Sequence, residues 1–170
     1  RISHHDDGPI EIIGHDATIT RVMQNGSEND PGIDVRGDRA TIERCRARAT
    51  WNHGVYVRGD DCVVRDTRVD DTNNDPGIEI QGARAQVVDN VISGCVRYPG
   101  IDVDGPAFTI SGNWIQDVGD GRPGLVADNG AGGGPSVIAD NTVAETGGNG
   151  IEVLGDGVSV TGNRVADCVG

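Results

Sequence analysis

The sequence predicts an all-β fold: a parallel β-solenoid of about seven coils, with 22 to 26 residues in each. Two observations predict it. A short motif, a turn residue followed by apolar, polar and apolar positions, returns along almost the whole chain. It reads Pro9-Ile10-Glu11-Ile12, Gly32-Ile33-Asp34-Val35, Gly54-Val55-Tyr56-Val57, Gly77-Ile78-Glu79-Ile80, Gly100-Ile101-Asp102-Val103, Gly124-Leu125-Val126-Ala127 and Gly150-Ile151-Glu152-Val153, at intervals of 23, 22, 23, 23, 24 and 26 residues. Two further short segments follow each motif in a fixed order, and all three alternate with period two, the signature of strands.

The first strand of each coil is the motif itself, closed by a glycine such as Gly37, Gly59 or Gly82. The second strand begins about nine residues later, with Ala17-Ile19, Ala40-Ile42, Cys62-Val64, Ala85-Val87, Phe108-Ile110, Ser136-Ile138 and Val158-Val160 as its inward pairs. The third begins at Val22, Cys45, Thr67, Asn90, Asn113, Asn141 and Asn163. No segment carries an apolar stripe of helical period. One coil cannot bury its own inward side chains; stacking coils about 4.8 Å apart pairs each backbone with the next and seals the Ile, Val and Ala columns. A narrow interior of this kind suits β-branched and small residues, in keeping with an aromatic content of only 3%.

Leucine-rich repeats, β-propellers and left-handed hexapeptide helices all need rhythms that are missing here. The pattern resembles the right-handed single-stranded parallel β-helix of pectin-lyase-like proteins, with repeats similar to the carbohydrate-binding and sugar-hydrolase type, over residues 8 to 170. The resemblance implies that Asn90, Asn113, Asn141 and Asn163 stack as a structural ladder inside one turn. It also implies a polysaccharide partner and an extracellular or cell-surface setting. Residues 1–170 read as a single β-helix domain. No amphipathic helix covers either end, so the chain reads as a segment of a longer protein or as one whose ends stack on themselves or on neighbouring domains.

Charge narrows the functions. Twenty-seven acidic residues face 14 basic ones, all Arg, for a net charge of −13. A nucleic-acid partner would need the opposite balance, and no window is apolar and long enough to span a membrane. Asp outnumbers Glu 21 to 6 and Lys is absent, a composition similar to that of salt-loving microbes. Cys45, Cys62, Cys95 and Cys168 form no CxxC pair and read as free, buried thiols.

The polar positions of the first strand point outward and form the candidate functional face. Its first column is Glu11, Asp34, Tyr56, Glu79, Asp102, Val126 and Glu152; the next is Ile13, Arg36, Arg58, Gln81, Asp104, Asp128 and Leu154. Asp30, Trp51, His53, Asp75, Tyr98 and Arg122 enter on the preceding turns. Like charges stacked at coil spacing are unfavourable and call for a reason. Asp102 and Asp104 lie about 6.5 to 7 Å apart along one strand, the spacing of inverting glycosidases; Glu79 and Asp102 lie nearer the retaining one. His53, Tyr56 and Arg58 could serve instead as base, acid and cation for a polysaccharide lyase or epimerase. The catalytic candidates are therefore His53, Tyr56, Arg58, Glu79, Asp102 and Asp104.

Calcium is the cofactor that the Asp- and Asn-rich turns would take, with Asp75, Asp102 and Asp104 as ligands. His4-His5 beside Asp6-Asp7 offers a transition-metal alternative, and Gly130–Gly134 an inserted mobile loop. The leading expectation is recognition or processing of a polysaccharide along the first-strand face. The competing one is a non-catalytic structural segment of a salt-adapted surface or extracellular protein.

Overall fold

The computed structural model describes residues 8–131 and 133–169. Among these, twenty-one strands build three seven-stranded sheets, and each strand pairs in parallel with its counterpart in the next coil. The first sheet stacks Ile10–Ile13, Ile33–Arg36, Val55–Arg58, Ile78–Gln81, Ile101–Asp104, Leu125–Asp128 and Ile151–Leu154. The second runs from Thr18–Thr20 to Val158–Thr161, and the third from Met23–Ser27 to Arg164–Cys168. The expected solenoid of seven coils is the observed one.

The core is the set of inward columns. Ile33, Val55, Ile78, Ile101 and Leu125 fill it from the first sheet, Ile42, Val64, Val87, Ile110 and Ile138 from the second, and Ala47, Val69, Ile92, Ile115 and Val143 from the third, all fully buried. Cys45, Cys62 and Cys95 are buried free thiols and Cys168 is a partly buried one, as their spacing suggested. Two glycine columns follow from close approach. A Cβ on Gly54 would sit 2.2 Å from Val69 Cγ1, and one on Gly59 2.3 Å from the Gly37 carbonyl oxygen.

The third strands exceed the expectation. The sequence marks only Val22 in the first coil, yet a strand runs over Met23–Ser27. It was masked because Gln24 holds the inward position that Ala47 holds in the next coil. The Gln24 amide is buried and donates to the carbonyls of Gly8 and Gly26, at 2.9 and 2.8 Å. Likewise Trp114–Asp120 spans seven residues.

A single left-handed residue turns the chain from the second sheet to the third: Arg44 (φ 53°), Asp66 (50°), Asp89 (55°) and Asp140 (55°), with glycine in the equivalent place at Gly112 and Gly162. The next residue carries the asparagine ladder. Asn90 Nδ2 donates to Asn113 Oδ1 at 3.0 Å, Asn113 to Asn141 at 2.9 Å, and Asn141 to Asn163 at 2.9 Å. Each amide also donates to a backbone carbonyl in the preceding coil, as Asn113 does to Val87 O at 2.8 Å. Thr67 and Cys45 continue the column with backbone N–H groups that donate to the side chain above. No helix among the described residues is long and apolar enough to cross a membrane.

Candidate functional site

Strand pairing places the outward column as the sequence implied. Glu11 pairs with Asp34, Asp34 with Tyr56, Tyr56 with Glu79 and Glu79 with Asp102. The centre of the site is the adjoining pair of strands Val55–Arg58 and Ile78–Gln81. His53 enters it from the four-residue turn ahead of Val55. Its ring stacks on Tyr56, with centroids 4.4 Å apart and planes inclined by 10°. The Arg58 guanidinium lies 4.7 Å from the Tyr56 ring centre.

A hydrogen-bonded chain runs through Glu79. Its Oε2 lies 2.7 Å from His53 Nε2, and its Oε1 accepts from Gln81 Nε2 at 2.6 Å. Tyr56 closes the chain by donating its hydroxyl to Gln81 Oε1 at 3.1 Å. Burial pushes the Glu79 carboxyl up, but the hydrogen bond and charge of His53, with the Gln81 hydrogen bond and the Arg58 charge, together hold Glu79 below its ordinary value. An ionised Glu79 accepts from His53 Nε2, while His53 Nδ1 faces Asp75 Oδ2 at 3.6 Å. Burial, then the charge of Glu79, push Asp75 up, although His53 opposes them. Burial, then the charge of Glu79, raise Tyr56 as well.

Asp102 differs from its neighbour. Burial, then the charges of Glu79 and Asp104, push it up to about 6. Two adjacent carboxyls therefore have pKa values driven apart, one toward the acid form and one toward the base. Asp104 lies exposed in the outer column, in register with Gln81 and Asp128.

Arg36 and Arg58 converge on Asp34. Arg36 Nη2 donates to Asp34 Oδ2 at 2.8 Å, and Arg58 Nη2 lies 3.5 Å from the same oxygen. Asp34 points outward from its strand yet is only 5% exposed, because these side chains cover it. Outward direction in the sequence pattern did not mean exposure. Sequence periodicity also missed Gln81 as the link between Tyr56 and Glu79. The outward alternation of Ile78–Gln81 was the available signal.

Among the described residues, no group of three or more His, Cys, Asp or Glu side chains is arranged to hold a metal ion. Asp75 faces His53, while Asp102 and Asp104 point from a different coil. The His4 to Asp7 cluster lies outside the described residues. The Gly130–Gly134 loop, one residue of which also lies outside them, is tied down by Asn129. That buried amide donates to the carbonyls of Gly134 and Asp156, and its oxygen accepts from Ala107 N and Ser136 Oγ.

The turn carrying His53 has a second side. Two residues earlier, Trp51 lines a groove of about 730 Å³ that crosses the ends of the third strands from Gly26 to Asp117. This groove was not foreseen. It is made by backbone and by the small residues Gly26, Ala49 and Gly94, which leave no mark in an apolar alternation.

Comparison with known proteins agrees with the fold. A family model described as a right handed beta helix region matches residues 31–170. The Dettilon tailspike protein is similar in structure, with a TM-score of 0.51 and 14% sequence identity. The match covers 90% of this chain and 43% of the tailspike chain, so the chain spans less than half of that protein. No curated protein matches its sequence.

Proposed function

The chain belongs to the right handed beta helix family, and on that scaffold we propose that it binds a neutral polysaccharide along its first sheet and hydrolyses it with Asp102 and Glu79. One observation carries the reading: Glu79, held by His53 at 2.7 Å and by Gln81 at 2.6 Å, lies beside a half-buried Asp102 in the next coil. Asp102 keeps its proton to about pH 6 and would deliver it to the glycosidic oxygen. The Glu79 carboxylate would attack the anomeric carbon, since neighbouring coils lie about 4.8 Å apart, close to the retaining separation of about 5 to 5.5 Å. Water, deprotonated by Asp102, would then release the sugar from Glu79.

Lyase and epimerase chemistry has less support. Both need a cation for the substrate carboxylate, and Arg36 and Arg58 are turned onto Asp34. The base of that chemistry would be His53, whose Nε2 is already engaged by Glu79 at 2.7 Å and whose ring is stacked on Tyr56, while the Tyr56 hydroxyl is donated to Gln81. The reading carries with it an action outside the cell or at its surface, where polymers of this class are met.

The test is release of reducing ends from neutral glycans. Glu79→Gln and Asp102→Asn should each lower the rate by about 10² to 10⁴, and the wild-type rate should fall as pH rises through about 6. Products from polygalacturonate carrying a new double bond would overturn the reading in favour of a lyase. A second reading, a structural segment of a salt-adapted surface protein, is favoured by turns of only two to seven residues, which build no tall walls beside the face. It predicts no turnover of any glycan.

A further inference from the structure

The groove beyond Trp51 has no part in that reaction. We propose that it is a second carbohydrate site, which holds a neutral glycan chain without cleaving it. The inference rests on the reading above only for the class of polymer.

Its shape suits a chain. It crosses five coils, from Gly26 to Asp117, or about 19 Å at the coil spacing. Its floor is low because the left-handed position of the third strand is Gly26, Ala49 and Gly94 in three of those coils. Trp51 and Val96 stand beside that floor, both about half exposed. An exposed indole offers a flat apolar face to the C–H face of a pyranose ring, with its polar edge left free.

Its chemistry selects against other occupants. No Lys, Arg or His lines the groove, while Glu28, Asp71 and Asp117 do; Arg48 beside it is 3.6 Å from Asp71, which leaves Glu28 and Asp117 as its unneutralised charges among the described residues. A nucleic acid, an anionic lipid or a polyuronate would be repelled. An added peptide strand would need a free sheet edge, and the third-sheet strands from Arg46–Thr50 to Trp114–Asp120 are paired on both sides. Sugar hydroxyls need no such edge, because carboxylates and the Asn73 amide at the rim can accept from them.

The test uses the Glu79→Gln protein, so that the polymer is not consumed, and measures retention on insoluble glucan, xylan and mannan against polygalacturonate. At least one neutral polymer should retain it. Trp51→Ala and Val96→Asp, both at exposed positions, should each weaken retention about tenfold or more while thermal unfolding stays unchanged. Retention that neither substitution alters would overturn the proposal, as would preference for polygalacturonate or no retention on any neutral polymer. Trp51-dependent retention by a protein whose wild type releases no reducing ends would sink the hydrolase and leave the groove standing.

Discussion

Two columns of polar side chains run along this molecule at the same pitch, about 4.8 Å per coil, with opposite results. In the turn between the second and third sheets, Asn90, Asn113 and Asn141 each donate to the amide oxygen of the next asparagine, and Asn163 ends the ladder by donating to the carbonyls of Ile138 and Thr161. On the first sheet, Glu79 and Asp102 meet at the same pitch with nothing to exchange. Around that column Asp34 Oδ1, His53 Nδ1 and Arg58 Nε are buried without hydrogen-bond partners, three of the five such side-chain atoms among the described residues. An amide carries both donor and acceptor, so stacking satisfies it; a carboxylate carries only acceptors, so stacking frustrates it. The ladder is what a solenoid needs to stand. The carboxylate column costs stability, and groups kept at such a cost are functional candidates.

Breaking the ladder should have the largest effect on stability. Asn113→Leu removes the bonds to Val87 O and Asn141 Oδ1 and strands the Asn90 backbone N–H and one of the two amide N–H groups of Asn90, the other staying on Val64 O. The expected loss is about 3 to 4 kcal/mol, read by urea unfolding. A loss under about 1 kcal/mol would mean that the ladder does not hold the turn.

Relieving the carboxylate column should act in the other direction. The folded protein holds the Asp102 proton to about pH 6, against an ordinary value of 3.8. Its contribution to stability is therefore greatest below about pH 4 and falls as pH rises through about 6. Asp102→Asn should stabilise the protein by on the order of 2 kcal/mol near pH 8 and by almost nothing near pH 4. A pH-independent effect would place Asp102 in ordinary solvent.

The smallest effect should come from extending the ladder downward. Thr67 already occupies the column, receives the Cys45 N–H at 3.3 Å and donates its own N–H to Asn90 Oδ1. Thr67→Asn should add about 0.5 to 1 kcal/mol, visible as a raised urea midpoint at unchanged slope.

These contrasts also explain what the sequence could reveal. The motif of a turn residue followed by apolar, outward and apolar positions marks every first strand because one face of each strand is buried against its own coil interior. The Asn column was visible because register in a parallel solenoid copies one chemical environment from coil to coil. The strand Met23–Ser27 was missed where Gln24 replaces an apolar residue. Register made the Glu79–Asp102 adjacency readable. It could not reveal that His53 reaches Glu79, that Arg36 and Arg58 bury Asp34, or that Gln81 joins Tyr56 to Glu79, since those depend on rotamers rather than on period. The groove was hidden for a different reason: its floor is defined by side chains that are absent.

The central claim is that two neighbouring carboxyls on the first sheet are driven to opposite protonation states. The direct measurement is a carboxyl-carbon NMR titration of selectively labelled protein, with Asp102→Asn and Glu79→Gln assigning the two signals. Asp102 should titrate at about 6 and Glu79 below the ordinary glutamate value of 4.5. In Glu79→Gln the Asp102 midpoint should fall, because one of the charges that raise it is gone. Two overlapping titrations at ordinary carboxylate values, each indifferent to loss of the other group, would contradict the claim and leave the face as the solvated side of an acidic solenoid.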